Sequence, residues 1–168
     1  MKIYSKHELN NYSLSLTYDD ISLIPTEISR VKTRLEVNIK SSFLGKELTV
    51  PVVSSPMDTV TGIAMAKELS NSGCIGIVNR FDSSLNELFS NGNVIEGIQA
   101  VSVSLTAEDE LLEKIAANNL IVCIDTANAN NAHVLNKCEE IKKKYKVKVI
   151  IGNIAHGGTL KQLVDAGA

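Results

Sequence analysis

The chain has 168 residues, of which 44% are hydrophobic and 21% charged, with a formal net charge of −2. This composition is typical of a globular protein with enough apolar material for a core, and it offers no strongly basic face for nucleic acid. No apolar run approaches the roughly 18 residues of a membrane span, and the N-terminus lacks the apolar stretch of a signal peptide. We therefore expect a cytoplasmic protein with neither a membrane nor a nucleic-acid partner.

Three cysteines lie in apolar segments of the sequence, at Cys74, Cys123 and Cys138. Their odd number and wide spacing do not suggest a disulfide framework. We expect all three to be reduced and buried as small apolar side chains.

Residues 1–47 lack the regular alternation of strand and helix patterns that the rest of the chain shows. Apolar and polar residues alternate along LSLTYDDISLIPTEIS and again along VKTRLEVNIKSSFLG, where Leu35, Val37 and Ile39 share one side. We interpret this region as an N-terminal arm with short strands, including a hairpin or paired strand that packs over one end of the core.

Asp19 and Asp20 form either a carboxylate pair for a metal or a solvated turn. Since neither a histidine nor a third acid is near, we predict the turn and no metal site.

From Leu48 onward, apolar strand patterns alternate with helical patterns. The strands begin 26, 24, 22 and 27 residues apart, at Leu48, Cys74, Ile98, Leu120 and Val147. The helical patterns cover 61–72, 84–89, 107–117, 131–145 and 159–166. Thr106 and Asp109 have the spacing of a capping box at the third helix. The alternation predicts five βα units of a parallel sheet over 48–168, and it leaves open a doubly wound sheet or a (β/α)8 barrel.

Small polar residues follow the first strand, in the segment PVVSSPMDTVT at 51–61. The strand pattern over 48–54 predicts burial on both faces, and its carboxyl end lies where parallel α/β folds bind ligands. Ser55 offers a hydroxyl to an anion or a sugar, and Met57 offers a soft surface for a flat ring. The alternative is an ordinary turn in which Asp58 or Thr59 caps the next helix and Met57 fills the core.

Later strands also end in polar residues. Asn79 and Arg80 follow the second strand, Asp125 the fourth and Asn153 the fifth, so we expect these side chains to meet at one rim. Asp125 can accept both hydroxyls of a ribose, although it can also cap a helix or pair with Arg80. Asn153 suits a hydroxyl or a purine edge, or is simply a turn residue.

Five segments together carry a family resemblance. They are LTYDDISLIP, VPVVSSPMDTVT, SGCIGIVNR, CIDTAN and IIGNIA, at 16–25, 50–61, 72–80, 123–128 and 150–155. Their order and relative positions resemble those of the IMP dehydrogenase and GMP reductase family, and the second segment alone is quite specific. The resemblance spans nearly the whole chain from about residue 16.

The resemblance implies an α/β fold, a parallel (β/α)8 TIM barrel of which this chain contains the first five βα units. It implies a purine mononucleotide as substrate, NAD or NADP as cofactor, and a homotetramer. The residues that it assigns are Ser55, Met57 and Asn153 for the nucleotide, and Asp125, Thr126 and Ala127 for the cofactor. The family transfers hydride at purine C2 through a covalent thioimidate on a cysteine.

The family's catalytic cysteine lies in a glycine-rich loop after the sixth barrel strand, which this sequence does not contain. We therefore assign no catalytic residue, expect no turnover by this chain alone, and expect a monovalent cation only with the missing half. The chain is then one half of a split enzyme, a truncation, or a chain that has lost catalysis. A further alternative is a non-catalytic partner whose open edge strands complete another chain's barrel.

Two activities fit the resemblance. SSPMDTVT resembles the dehydrogenase, whereas the short passage from Arg80 to Ile98 and the pattern over 125–128 resemble the reductase. Our first expectation is IMP dehydrogenase (IMP and NAD to XMP), and GMP reductase (GMP and NADPH to IMP) is the alternative. Ala129 stands where the family usually has glycine and Asn79 where it usually has histidine, which puts cofactor affinity in question.

Overall fold

The computed structural model describes residues 17–22, 24, 28–81, 84–89 and 94–168. The chain divides into two compact units, Met1–Asn38 and Ile39–Ala168. The sequence-based division at residue 47 stays a prediction.

The described part of the first unit contains two short 3-10 helices, Tyr18–Asp20 and Arg34–Glu36. The Asp20 carboxylate accepts hydrogen bonds from the backbone N–H and the hydroxyl of Thr17, both at 2.8 Å, which hold its pKa below the usual range. The carboxylate therefore serves a local turn.

The strand expected around Leu35 is not formed. Leu35 lies in the second 3-10 helix and is 97% exposed, and the Glu36 carboxylate accepts a hydrogen bond from the backbone N–H of Lys32 at 3.1 Å. Alternation makes a strand only where a neighbouring strand pairs with it, and here a local turn satisfies the backbone instead. The earlier alternating segment falls partly on 14–16, 23 and 25–27, which lie outside the described residues.

The second unit contains, in its described residues, seven strands and five helices. In chain order they are β1 (Ser41–Phe43), β2 (Lys46–Leu48), β3 (Val53–Ser54), α1 (Ile63–Asn71), β4 (Ile75–Val78), α2 (Ser84–Leu88), β5 (Ala100–Val103), α3 (Asp109–Ala117), β6 (Ile121–Asp125), α4 (Ala132–Tyr145), β7 (Val149–Gly152) and α5 (Gly157–Asp165). The helices agree with the predicted ones to within about two residues at each end, which is the usual precision of such boundaries.

The main sheet is parallel and has the order β3-β4-β5-β6-β7. Each strand pairs with the next one in the chain, as in the pairing of Val101 with Val122 and of Ile124 with Ile151. A doubly wound sheet would reverse its strand order, whereas this order never reverses. The predicted fold class, part of a (β/α)8 barrel, is confirmed.

Each face of the sheet has its own core. The outer face packs against the helices through side chains such as Val101, Val122 and Ile124. The inner face buries Ile75, Ala100 and Ile121, the first residues of β4, β5 and β6, together with Leu48 of the antiparallel hairpin β1–β2. The hairpin therefore covers the amino ends of the strands, and their carboxyl ends remain open.

The first barrel strand is shorter and more exposed than the sequence predicts. β3 contains only Val53 and Ser54, Leu48 belongs to the hairpin, and Val52 is 44% exposed. The expectation of a strand buried on both faces over 48–54 is wrong for two physical reasons. Pro51 has no N–H to donate to a ladder, and β3 lies at an edge of the sheet with one neighbouring strand.

The start of α3 differs from the predicted capping box. Glu108 is the N-cap residue, and the Thr106 hydroxyl forms a hydrogen bond with the Ser104 hydroxyl at 3.1 Å instead of binding the helix. Asp109, the first residue of α3, turns outward to the end of α4, where its carboxylate accepts hydrogen bonds from Lys144 and, at 2.7 Å, from Tyr145. The side chain expected to close the helix start thus joins two helices.

The contact of Asp109 with Lys144 and Tyr145 should make the stability of the chain depend on pH. The hydrogen bond from Lys144, followed by the one from Tyr145, lowers the pKa of Asp109 below its ordinary value of 3.8. A lowered pKa in the folded state adds stability above that ordinary value, and the addition is lost as the pH falls through the folded pKa. We expect Asp109→Asn to lower stability slightly at neutral pH, with the difference vanishing in acid. Urea unfolding at several pH values measures it, with Glu113→Gln as the control; a difference that grows in acid would contradict the assignment.

Candidate functional site

The carboxyl ends of the strands open on a pocket of about 440 Å³, a size suited to a small-molecule ligand. We call it the mouth pocket, and its lining residues are Ser55, Pro56, Met57, Asp58, Arg80, Phe81, Asp125, Thr126, Ala127 and Asn153. The structure thus brings together the six site residues that the family resemblance assigns, and Arg80 with them. Their roles toward a ligand remain predictions. The expectation that the Asn79 side chain joins this rim is wrong, because Asn79 is fully buried and does not line the mouth pocket.

One side of the mouth pocket is a closed loop over residues 55–61, which we call the first rim loop. The Met57 carbonyl accepts hydrogen bonds from the backbone N–H groups of Val60 and Thr61, both at 3.0 Å. The hydroxyl of Thr61, which is fully buried, donates to the Ser55 carbonyl at 2.7 Å and lies 2.8 Å from the Ser54 hydroxyl. These bonds fix the backbone that carries Ser55 and Met57.

The ordinary-turn interpretation of this loop is wrong. Met57 is 53% exposed and therefore does not fill the core. The N-cap of α1 is Gly62, and the Asp58 carboxylate accepts a hydrogen bond from the neighbouring Thr59 N–H at 2.8 Å. The loop thus presents an exposed thioether and an exposed serine to the mouth pocket.

Arg80 and Asp125 lie side by side in the lining of the mouth pocket. Their closest oppositely charged atoms, Arg80 Nε and Asp125 Oδ2, are 3.6 Å apart, and the Arg80 Nη2 group donates weakly to the Asp125 carbonyl at 3.5 Å. The Arg80 guanidinium also lies over the Phe81 ring, 4.1 Å from its centroid. Asp125 was expected either to cap the following helix or to pair with Arg80. The pair with Arg80 is found, and Asn131 caps α4 instead.

Arg80 Nε is buried and has no hydrogen-bond partner among the described residues. The Asp125 carboxylate lies just beyond hydrogen-bond distance of this atom, at 3.6 Å, and balances its charge. Asp125 is only half-buried, so its carboxylate has room to accept a bond from a ligand as well.

The far side of the mouth pocket is held by hydrogen bonds between the ends of β6 and β7. The Gly152 carbonyl accepts from the backbone N–H of Thr126 at 2.7 Å and from its hydroxyl at 3.0 Å, and the Thr126 carbonyl accepts from the Asn153 N–H at 2.7 Å. The Thr126 hydroxyl proton is therefore committed to the protein backbone. Asn153 is exposed, and its side-chain amide makes no hydrogen bond within the described residues.

Two residues of the site escaped the sequence analysis. Phe81 is 56% exposed and lines the mouth pocket, and Thr61 anchors the first rim loop from below. The signal for Phe81 was an aromatic residue directly after two polar rim residues in a chain with only three phenylalanines. Nothing in the sequence alone indicates that Thr61 is buried.

The cysteines do not belong to the reactive surface of the site. All three are free and buried, as predicted, and none lines the described part of the mouth pocket. Burial raises the pKa of the Cys123 thiol to about 12, and the nearby Asp125 carboxylate adds to the rise. A thiol that stays protonated is a poor nucleophile.

We therefore expect the folded chain to resist thiol reagents. With DTNB at mildly alkaline pH, Cys123 and Cys138 should react only as the chain unfolds, because burial raises the pKa of both thiols. The rate of colour formation, with and without denaturant, measures this, and the single variants Cys123→Ser and Cys138→Ser assign each thiol. Reaction of native Cys123 at the rate of a free thiol would contradict the buried placement.

Among the described residues, no three His, Cys, Asp or Glu side chains come together as metal ligands. Within the same residues, no helix combines the length and the apolar character needed to cross a bilayer.

Consecutive parallel strands, helices on the outer face and a pocket at the strands' carboxyl ends define part of a (β/α)-barrel. A family model described as the IMP dehydrogenase / GMP reductase domain matches residues 15–168. The chain belongs to this family.

Curated relatives are named GMP reductase. The protein from Ligilactobacillus salivarius is 32% identical over 157 residues, which cover 90% of this chain and 48% of that protein. The one from Lysinibacillus sphaericus is 31% identical with the same coverage. The chain therefore spans about half the length of these relatives.

A solved structure shares the fold. Inosine 5′-monophosphate dehydrogenase from Legionella pneumophila superimposes with a TM-score of 0.76 at 26% identity, covering 92% of this chain and 49% of that one. Sequence and structure thus agree on the family and on the portion of the barrel that this chain represents.

Proposed function

We propose that this chain binds a purine 5′-mononucleotide in the mouth pocket, as part of a purine-nucleotide oxidoreductase. The observation that carries the proposal is the convergence of Ser55, Met57, Asp125 and Asn153, from three separate strand ends, on one pocket. Residues so far apart in sequence meet at one place because the carboxyl ends of parallel strands form a common rim.

The chemistry of the first rim loop suits the nucleotide. Ser55 is exposed and on a backbone held by Thr61, so its hydroxyl is positioned for an anion or a sugar. The exposed Met57 thioether offers a polarizable surface for a purine ring. Across the pocket, the Asn153 amide can both donate to and accept from hydroxyl groups.

The opposite wall fits a nicotinamide cofactor, NAD or NADP, which would supply or accept a hydride when bound. Asp125 can accept hydrogen bonds from ribose hydroxyls, and Arg80 brings a positive charge to the same wall. The exposed Phe81 ring beneath the guanidinium gives a flat surface beside these groups. Thr126 and Ala127 contribute the backbone next to Asp125.

The reacting thiol must come from outside the described mouth pocket, since Cys123 lies buried below it with a raised pKa.

The sheet order leaves one edge of β3 and one edge of β7 without a neighbouring strand among the described residues. The helices that follow these two strands in the chain carry exposed apolar side chains: Met65 on α1, and Leu160 and Val164 on α5. Further βα units, carrying the thiol, would cover these surfaces, either in a separate polypeptide or in further length of the same one. A homotetramer and a cytoplasmic location remain part of the proposal.

For the reaction itself, the curated relatives support GMP reductase, because those named above are GMP reductases at 31–32% identity. IMP dehydrogenase, the first expectation from the sequence, is the second candidate, and the structural similarity to a dehydrogenase supports it. Both reactions would use the same pocket. In the reductase, ammonia leaves C2 of GMP and NADPH delivers a hydride there; in the dehydrogenase, C2 of IMP gives a hydride to NAD and water then supplies the C2 oxygen of XMP.

Calorimetric titration of the purified chain with GMP and IMP tests the proposal. We expect saturable binding of both, weaker binding of AMP, which lacks the 6-oxo group, and a clear loss of affinity in Asn153→Ala. The control is Gln99→Ala, whose side chain bonds Ser70 at the amino end of the sheet. Equal binding of all three nucleotides, or no effect of Asn153→Ala, would contradict the proposal. In the same preparation we expect no hydride transfer between GMP and NADPH until a polypeptide carrying the thiol is added.

A further inference from the structure

Asn79 has the environment of a structural joint rather than that of a ligand contact. It is fully buried at the end of β4 and does not line the mouth pocket. Buried amides are costly unless every polar group is paired, so the partners of this side chain show what it holds.

The partners lie on two different loops. The Asn79 backbone N–H and its Nδ2 group both donate to the Thr61 carbonyl, at 2.9 and 3.0 Å. Its Oδ1 atom accepts a hydrogen bond from the backbone N–H of Phe81 at 3.0 Å. One side chain therefore ties the base of the first rim loop to residues 79–81, which we call the second rim loop.

The bonds continue from this joint to both walls of the site. Thr61 holds the Ser55 carbonyl through its hydroxyl and the Met57 carbonyl through its backbone N–H, at 2.7 and 3.0 Å. On the other side, the second rim loop carries Arg80, whose guanidinium lies on Phe81 and faces Asp125. The first rim loop, which carries Ser55 and Met57, and the second rim loop, which carries Arg80, are thus connected through Asn79, by its side chain and by its backbone N–H.

We infer that Asn79, acting through Thr61, is a positioning residue that sets the distance between the two walls of the mouth pocket. The inference rests on the proposed function for its ligand, but the joint itself is a feature of the fold. Losing the amide should free the two loops to move apart, which lowers affinity for a ligand of the first rim loop without removing any group that touches it.

Four variants test the inference. Asn79→Ala removes the two side-chain hydrogen bonds of the joint and keeps the backbone bond to the Thr61 carbonyl. Thr61→Val removes the hydroxyl bond to Ser55 while keeping the shape and the carbonyl that Asn79 binds. Thr61→Ser is the conservative variant that restores the hydroxyl. Gln99→Ala removes a partly buried amide that bonds the Ser70 hydroxyl at 3.0 Å, at the other end of the sheet, and so controls for a general loss of stability.

The first measurement is GMP affinity by calorimetry in the purified chain. We expect Asn79→Ala and Thr61→Val to bind about tenfold more weakly, the equivalent of one lost hydrogen bond. Thr61→Ser should recover the wild-type affinity, and Gln99→Ala should stay within about twofold of it. If Asn79→Ala binds GMP as well as Gln99→Ala does, the positioning role is overturned.

The second measurement needs no ligand and separates this inference from the proposed function. Amide hydrogen exchange at Val60, Thr61 and Phe81 should speed up in Asn79→Ala and not in Gln99→Ala. If the wild-type chain binds no GMP, the proposed function fails, and the exchange rates alone decide the inference. Unchanged exchange at these amides in Asn79→Ala overturns it.

Discussion

Gly76→Ala is expected to lower the free energy of unfolding by about 3 kcal/mol, the upper end of the usual cost of overpacking a core. A Cβ atom at this position of β4 would lie 2.5 Å from the Cα atom of Ala66 and 2.9 Å from its Cβ atom. Ala66 is buried in α1, so the clash is between the backbones of a strand and a helix, and neither can yield by rotating a side chain. Guanidinium unfolding followed by circular dichroism measures the loss.

The matched control is Gly157→Ala. Gly157 is the first residue of α5, and a Cβ atom there would meet nothing within 4 Å. The same chemical change should be neutral, or stabilise the chain by up to about 1 kcal/mol by restricting the unfolded state. Equal losses in the two variants would mean that α1 does not approach β4 as closely as described.

Asp125→Asn is expected to weaken binding of a nicotinamide cofactor by about tenfold to a hundredfold, the range for losing a hydrogen bond to a charged group. The substitution preserves the shape of the side chain while removing its charge. It also removes the negative charge that lies 3.6 Å from Arg80 Nε, so the positive charge of the guanidinium no longer has a carboxylate beside it in the mouth pocket. Fluorescence titration with NADPH and calorimetric titration with NAD measure the change, and GMP affinity should change little.

The control for this prediction is Asp165→Asn, which removes an exposed carboxylate that pairs with Lys161 on α5, away from the mouth pocket. Its effect on cofactor affinity should be negligible, since exposed ion pairs contribute little. If Asp125→Asn binds NADPH as well as this control does, the role of Asp125 is confined to pairing with Arg80, and the cofactor wall lies elsewhere.

The sequence predicted those parts of the fold that depend on local periodicity. Strand β6, IVCID, and helix α4, with Val134, Cys138 and Ile141 on one face, are each long enough to show their period clearly. The choice between a barrel and a doubly wound sheet came from the family resemblance, because strand order is a property of chain crossovers that periodicity does not encode.

The failures occur where a tertiary partner or a backbone restriction decides the outcome. Leu35 belongs to an alternating pattern but lies in a 3-10 helix, and the run beginning at Leu48 is divided by Pro51 between a hairpin strand and an edge strand. Asp109 has the spacing of a capping box, yet its carboxylate bonds side chains on another helix. In each case the local signal was real, and a competing interaction was stronger.

The sequence predicted most of the residues that line the candidate site, but not the hydrogen bonds that hold them in place. Polar residues after buried strands indicated Asp125 and Asn153 because strand ends converge in parallel folds. The pairing of Asp125 with Arg80 was one of several open alternatives, and the exposure of Met57 could not be distinguished from a core position. The bonds of Thr61 and Asn79 depend on how two loops approach each other, which no spacing in the sequence expresses.

The most direct test of the central claim is to map the GMP site by NMR chemical-shift changes in the isotopically labelled chain. If the carboxyl ends of the strands form a nucleotide site, the shifts should be concentrated at Ser55, Met57 and Asn153, with smaller changes at Arg80 and Asp125. The hairpin β1–β2, at the amino ends of the strands, should be unaffected. Shifts concentrated at the hairpin, or no shifts at saturating GMP, would contradict the account.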